Sequence, residues 1–182
     1  MRYWIAAVAM AAAGCGGGDR SWWPLRAESS HSYSLERGAT TLVADWKVVG
    51  TAPVGSSSGY VVASPVGDSV LAWQGERLVA SQLGGTRFVP PIPVLVQGEA
   101  KWRGTVVSAG RSVAGSAVVK GARAKERHPV FGVRTLEVLT NLRLPGSVQV
   151  VESVFADQVG LVSQSQRTND ILDYRLTLLG SD

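Results

Sequence analysis

Apolar and polar residues alternate along several stretches of this chain, and that alternation limits the fold more than any other feature of the sequence. Within residues 40–49 every second side chain is apolar, at Leu42, Ala44, Trp46 and Val48. The same alternation returns within residues 134–144. A period of two puts alternate side chains on opposite faces of a strand, so both stretches are predicted to be strands with one face in a core.

Short turn-forming segments divide much of the remaining chain into further strand-like runs. The chain has 21 glycines and 8 prolines among 182 residues, more than the ~12% combined share of an average protein. Segments such as GSSSG, VGD and LPGS separate the runs. The further runs are residues 60–64, 69–73, 76–82, 86–89, 101–108, 112–122, 146–156, 159–166 and 173–179. We expect one mainly β domain, either a curved antiparallel sheet or a partly open barrel of about ten short strands. The proline-rich residues 90–94 are predicted to form a rigid crossing between its two halves.

The beginning of the chain has the pattern of an export signal. Arg2 is the only charged residue before Asp19, and residues 3–13 are apolar or small. This run is too short to span a bilayer, which takes ~20 apolar residues. Small residues lead directly into Cys15, the only cysteine of the chain. The segment resembles the lipobox of bacterial lipoproteins, although Ala12 stands where leucine is usual. The alternative is an ordinary signal peptide, with Cys15 free or removed.

The lipobox resemblance implies three parts of the chain and a location. Residues 1–14 are the expected signal peptide, residues 15–21 a lipidated cysteine with a glycine-rich tether, and residues 22–182 a β-rich envelope domain. Acyl chains such as palmitate on Cys15 would attach the protein to a bacterial membrane, on the periplasmic side of the outer membrane if the envelope has two. The two tryptophans at the start of the domain, Trp22 and Trp23, are expected to plug one end of its core. A formal charge of +4 is too mild to indicate nucleic-acid binding.

Two short motifs give a further resemblance. The domain opens with Trp23-Pro24-Leu25, followed by Tyr33, and closes with Val159-Gly160-Leu161-Val162. This order is similar to that of uncharacterised bacterial envelope lipoproteins built on a curved antiparallel sheet. His31 departs from the family pattern by replacing a tryptophan, and Asp157-Gln158 replace a Pro-Gly pair. The resemblance implies a fold and a location, and it brings no catalytic residue with it.

The sequence does not indicate an enzyme, a metal site or a cofactor. Residues 55–59 formally match the G-x-S-x-G nucleophile elbow, but a strand is predicted after Ser57, where the elbow requires a helix. Asp68 and His128 complete a serine, acid, histidine order with Ser57, but any chain with a few such residues permits this. The two histidines, His31 and His128, lie far apart without metal-ligand spacing, so structural roles are expected for both. We therefore expect a protein that is not an enzyme and has no cofactor.

One basic stretch suggests a surface contact. Lys120, Arg123, Lys125 and Arg127 fall within nine residues, interrupted by one acid, Glu126. These side chains could contact phosphate headgroups, lipopolysaccharide or an acidic partner. The alternative is a solvated hairpin tip whose charges discourage aggregation between sheet edges.

Two functions remain open from the sequence. In the first, the domain is a non-catalytic binding module whose concave face holds a lipid, a hydrophobic ligand or part of another envelope protein. In the second, it is a structural or assembly lipoprotein whose core is filled by its own side chains, as in small barrels. Trp46, Trp73 and Trp102 are large enough to fill such a core. The two hypotheses differ in whether the inside of the sheet is empty or filled.

Overall fold

Antiparallel strands follow one another along the chain and close into a barrel. The computed structural model describes residues 20–124 and 127–181, and within them it has a short 3-10 turn, η1 (Arg20–Trp22), and twelve strands. The strands are β1 (Ser30–Arg37), β2 (Thr40–Val54), β3 (Ser57–Ala63), β4 (Ser69–Gln74), β5 (Arg77–Leu83), β6 (Thr86–Leu95), β7 (Gly98–Ser108), β8 (Arg111–Arg123), β9 (Thr135–Leu144), β10 (Ser147–Ala156), β11 (Gly160–Thr168) and β12 (Ile171–Ser181). Each strand pairs with its neighbours in sequence, and β1 pairs with β12 to close the ring. The expected mainly β single domain is confirmed, as a closed barrel.

The strands differ from the expected pattern at three places. Residues 30–37, which were not predicted to be a strand, form β1. Ser57 is the first residue of β3, so most of the predicted GSSSG turn belongs to a strand. The proline-rich residues 90–94 were predicted to be a crossing outside the strands, but they continue β6 and pair with β5.

The predicted alternation places side chains inside the barrel. On β2, Ala44, Trp46 and Val48 are buried while their neighbours are exposed. On β9, Leu136 and Val138 are buried in the same way. The apolar sides of the strands therefore face one continuous core.

One end of the barrel, here called the closed end, is plugged by the start of the domain. It carries η1 and the connections that follow β2, β4, β6, β8 and β10. The amide of Gln158 donates a 2.7 Å hydrogen bond to the carbonyl of Ser21, and the rings of Trp23 and Phe155 lie 5.6 Å apart. Trp22 is 1% exposed. The prediction that these tryptophans plug one end of the core is confirmed.

The chain after β6 helps to fill the same end. β6 pairs with β7 only through Arg87, Phe88 and Val89, and then leaves it. Val96 is buried and lies against Gly121 of β8, where a β-carbon would collide with the Val96 carbonyl oxygen. The interior at the closed end is therefore occupied by backbone as well as by side chains.

The described core extends from η1 to β12. Every buried core residue that the structure describes lies between Trp22 and Leu176. A chain that begins at Gly16 therefore retains every core residue that the structure describes. The predicted signal peptide (residues 1–14), Cys15, Lys125 and the tether up to Asp19 lie outside the described residues, and the last tether residues, Arg20 and Ser21, open η1. Within the described ranges, no helix is long and apolar enough to cross a membrane.

Candidate binding cavity at the open end of the barrel

A cavity of about 660 Å³ occupies the half of the barrel opposite the closed end. Its mouth is formed by residues next to the turns that follow β1, β3, β5, β9 and β11, including Arg37, Val66 and Gly84. We call this the open end. Cavities that hold small molecules usually measure about 300–1,000 Å³, so this one is of a suitable size.

The strand number explains why space remains inside. A barrel of about eight strands is just wide enough for side chains to fill, and the diameter grows with the number of strands. With twelve strands, the interior is wider than its side chains fill. At the closed end Trp22 and the chain around Val96 take up that space. The open end has no such filling among the described residues.

One wall of the cavity is apolar. Its side chains come from β5, β6 and the connection before β4, and they include Val66, Leu83, Phe88 and Ile92. The ring of Phe88 packs edge-on against Trp102 at 5.8 Å, which fixes it in the wall. This wall offers a surface for hydrocarbon.

The wall on the other side of the barrel comes from β10, β11 and β12, and it carries most of the polar side chains of the cavity, together with apolar ones such as Val151 and Leu172. In the closed ring β11 lies six strands away from β5, so the two walls face each other. The Tyr174 hydroxyl donates a 2.9 Å hydrogen bond to Gln164 Oε1, and Gln164 Nε2 donates a 3.0 Å bond to Ser153 Oγ. These three side chains form one hydrogen-bonded row across the wall.

A carboxylate stands beside this row, near the mouth. The pairing of β11 with β12 shifts between Gln166 and Arg167, which leaves Asp173 as the extra residue of a β-bulge. Bulges re-aim side chains. Asp173 Oδ2 accepts a 2.9 Å hydrogen bond from Gln166 Nε2 and a 2.6 Å bond from Thr168 Oγ1. Arg37 also lines the mouth, so the rim carries both signs of charge.

The cavity environment keeps Tyr174 protonated. Burial, followed by the negative charge of Asp173, raises the pKa of the Tyr174 hydroxyl to about 12. At neutral pH this hydroxyl therefore acts as a hydrogen-bond donor. The row of Tyr174, Gln164 and Ser153 therefore offers neutral hydroxyl and amide groups, beside the carboxylate of Asp173.

The candidate triad residues and the two histidines lie outside the cavity lining. Ser57 begins β3, whereas Asp68 follows its other end, so β3 separates the serine and the acid of the candidate triad. The two histidines make structural contacts, as expected: the ring of His31 lies 3.2 Å from the Val159 carbonyl oxygen, and His128 Nδ1 accepts from the Val130 amide. Within residues 20–124 and 127–181, no cluster of three potential metal ligands is present.

Three basic residues of the predicted surface contact, Lys120, Arg123 and Arg127, lie at the closed end, and the fourth, Lys125, lies outside the described residues. Lys120 and Arg123 lie in the last four residues of β8, and Arg127 lies in the connection that follows. Lys120 forms an exposed ion pair with Glu99 at 3.6 Å. None of these residues lines the cavity.

Trp46, which the sequence suggested as a core-filling side chain, lines the cavity, but the polar residues of the cavity were missed by the sequence interpretation. Their signal is the run SQSQ at residues 163–166, where both faces of a strand are polar. A strand inside a barrel whose inward positions are glutamines, here Gln164 and Gln166, indicates a polar patch on an otherwise apolar interior. Such a patch needs partners or a ligand to satisfy its hydrogen bonds.

The fold is similar to that of solved structures. A candidate lipoprotein from Parabacteroides distasonis aligns with a TM-score of 0.54 and 11% identity, covering 88% of this chain and 98% of that one. The two proteins share a fold. A candidate exported protein from Bacteroides fragilis with a YmcC-like fold aligns over the same shares of both chains, at 10% identity and a TM-score of 0.49. No protein-family model and no curated protein matches the chain.

Proposed function

We propose that this protein is an envelope lipoprotein, anchored through Cys15, that binds an amphipathic molecule in the cavity at the open end of its barrel. The observation that carries the proposal is the cavity itself, with an apolar wall on β5 and β6 and a polar wall on β10 to β12. A molecule with a hydrocarbon chain and a hydrogen-bonding head fits both walls at once. A single-chain lipid has this chemistry.

Each wall of the cavity would contact a different part of the ligand. Hydrocarbon placed against Phe88 and Ile92 gains the free energy of burying apolar surface. A polar head near Gln166 and Asp173 keeps its hydrogen bonds while it leaves water. A fully apolar molecule would lose the second of these contributions, so we expect weaker binding of a plain alkane than of an amphiphile of equal length.

The role is binding rather than catalysis. The polar side chains of the cavity wall donate to one another, as Tyr174 does to Gln164. A tyrosine with a pKa of about 12 is poorly suited to proton transfer near neutral pH. Both features favour a cavity that recognises a molecule and leaves it unchanged.

A fluorescence titration tests the proposal. The soluble chain from Gly16 is titrated with an undecanoic acid that carries a dansyl group, whose emission rises and shifts to the blue in an apolar site. We expect saturable binding of one probe per chain. Val151 lines the cavity on β10, so Val151→Trp should fill it and abolish the signal.

The neighbouring residue provides a matched control. Val150 lies on the same strand, next to Val151, and does not line the cavity. Val150→Trp should therefore bind the probe as the wild type does. If the wild type shows no saturable binding, or if both variants bind equally well, the cavity does not hold a ligand. The structural or assembly role would then be favoured.

A further inference from the structure

The connection between β8 and β9 presents two apolar side chains to solvent at the closed end. Val130 is 78% exposed and Phe131 is 38% exposed. Residues 128–133 of this connection are held in shape by two 2.8 Å backbone hydrogen bonds, from the His128 amide to the Val133 carbonyl and from the Gly132 amide to the His128 carbonyl. The ring of Phe131 also lies 4.8 Å from that of His128. The apolar pair is therefore displayed by an ordered turn.

Two arginines flank this apolar turn. Arg123 ends β8 and donates to Gln97 Oε1, and Arg127 donates from Nη1 to the Gly132 carbonyl. Both side chains are exposed. Within residues 20–124 and 127–181, neither forms an ion pair with a carboxylate. The positive charge of Arg123 also helps to lower the pKa of Asp157, while both guanidinium groups stay exposed to solvent.

The predicted anchor leaves the barrel at the same end. Ser21 is held at the closed end by the amide of Gln158, and only four residues separate Cys15 from Arg20. An extended chain spans at most about 3.6 Å per residue. The Cys15 thiol therefore lies within about 20 Å of the closed end, which must stay close to any membrane that holds this cysteine.

We propose that the turn around Val130 and Phe131 docks on the bilayer that anchors the protein, with Arg123 and Arg127 on phosphate headgroups. Apolar side chains rest at the boundary between headgroups and acyl chains, and nearby cations strengthen binding to anionic lipid. The docking rests on the anchor of the proposed function and extends it. With the closed end on the membrane, the mouth of the cavity opens away from it.

The test holds the protein on vesicles without using acylation. A histidine tag replaces residues 1–15 and binds nickel-chelating lipid in vesicles of phosphatidylcholine with phosphatidylglycerol. The tag removes Cys15, the only cysteine of the chain. A single new cysteine is then introduced and labelled with a dye that brightens in an apolar environment. One variant is Val130→Cys. Its matched control is Val148→Cys, at an exposed valine on the open-end half of β10.

We expect the dye at position 130 to brighten severalfold and shift to the blue on the vesicles, and the dye at 148 to keep its solution spectrum. The double substitution Arg123→Gln and Arg127→Gln should remove most of the gain. Arg87→Gln with Arg111→Gln, at the open end, should not. A solution spectrum at 130, or equal gains at 130 and 148, overturns the docking proposal. A concentration-dependent spectrum at 130 without vesicles also overturns it, because it indicates a second copy of the chain on this turn.

The anchor is tested separately from the docking. The vesicle experiment does not depend on Cys15, whereas acylation is read by the mass of the protein purified from membranes. An unacylated Cys15 with a membrane-buried turn would contradict the anchor alone. An acylated Cys15 with a turn that stays in water would contradict the docking alone.

Discussion

Gly160, at the start of β11, lies directly against Trp23, which helps to plug the closed end of the barrel. Its φ is +108°, and a β-carbon added to it would lie 2.8 Å from Trp23 Cδ1. Next to it, Leu161 and Val162 are both buried, and the pairing with β10 shifts at Val162. The bulge therefore lies at Val162, two residues beyond the glycine.

Substitution of Gly160 should therefore destabilise the barrel. We expect Gly160→Val to lower the free energy of unfolding by about 1–3 kcal/mol, because the side chain is strained at this φ and displaces Trp23. Denaturant unfolding of the soluble chain measures the change. Gly180→Val, where nothing lies within 4 Å of an added β-carbon, should have little effect. Equal midpoints for the two variants would contradict this role for Gly160.

An ion pair between Asp157 and Arg134 helps to hold the tryptophans that plug the closed end. Arg134 Nη2 lies 2.6 Å from Asp157 Oδ2, and the Arg134 guanidinium lies 5.8 Å from the centre of the Trp22 ring. Burial opposes ionisation of this carboxyl. The hydrogen bond from Ser21, followed by the hydrogen bonds and positive charge of Arg134, nevertheless holds its pKa below the ordinary 3.8.

A lowered carboxyl pKa predicts acid sensitivity. The unfolded state binds the proton first, so the stabilisation by Asp157 is present above pH 3.8 and is lost as the pH falls below it. Asp157→Asn should lower the unfolding midpoint at pH 7 and flatten its decline in acid. Glu152→Gln breaks an exposed ion pair with Arg167, so it should change little. If Asp157→Asn retained the full acid decline, the assignment to Asp157 would be wrong.

The inward orientation of two glutamines could not be predicted from the sequence. The polar wall depends on Gln164 and Gln166 pointing inward, and their sequence shows a strand without an apolar face. Whether such a strand turns its glutamines to solvent or to a cavity depends on its two neighbours in the barrel. Only the closed ring, with β10 on one side and β12 on the other, decides it.

At the scale of strands, β6 distinguishes the two halves of the barrel. It leaves β7 after Val89 and brings Val96 across the interior at the closed end. This path requires glycine where the crossing chain meets the inner face of the wall. Gly104 and Gly121 stand at these places, and a β-carbon on either would collide with a carbonyl oxygen, of Val89 and Val96 respectively.

Gly121→Ala should therefore disturb the crossing. We expect a loss of about 1–3 kcal/mol in the free energy of unfolding, the usual effect of overpacking an interior. Gly50→Ala is the control, because Gly50 also lies in a strand and an added β-carbon meets nothing within 4 Å. Thermal unfolding of the two variants measures the difference. A Gly121→Ala variant as stable as Gly50→Ala would mean that Val96 can move aside freely.

Most strands could be predicted from alternation, and the two exceptions have physical reasons. β1 has the sequence SHSYSLER, in which only Tyr33 and Leu35 carry the buried face. β1 is completed by its two neighbours, β2 and β12, and the sequence alone does not show that β12 lies beside it. β6 contains consecutive prolines, which usually interrupt a strand, but here β6 has a continuous ladder to neither neighbour.

At the scale of the whole molecule, the barrel has two unlike ends, and the chain enters at the closed one. The proposed anchor at Cys15 therefore predicts an orientation as well as a location. Replacing Cys15 with Ala should abolish labelling by a fatty acid and block the normal processing of the precursor. Fractionation and metabolic labelling check this. A Cys15→Ala variant that is processed and sediments with membranes as before would show that Cys15 is not the anchor.

Backbone NMR tests whether the cavity at the open end binds an amphipathic molecule. Dodecylphosphocholine, kept below its micelle-forming concentration, is added to the isotope-labelled soluble chain from Gly16. We predict that amide signals of the cavity half, such as those of Phe88, Val151 and Tyr174, shift and saturate together. Those of Leu136 and Gly160 at the closed end should stay in place. Shifts spread evenly over both ends, or no shifts in the cavity half, would contradict the account.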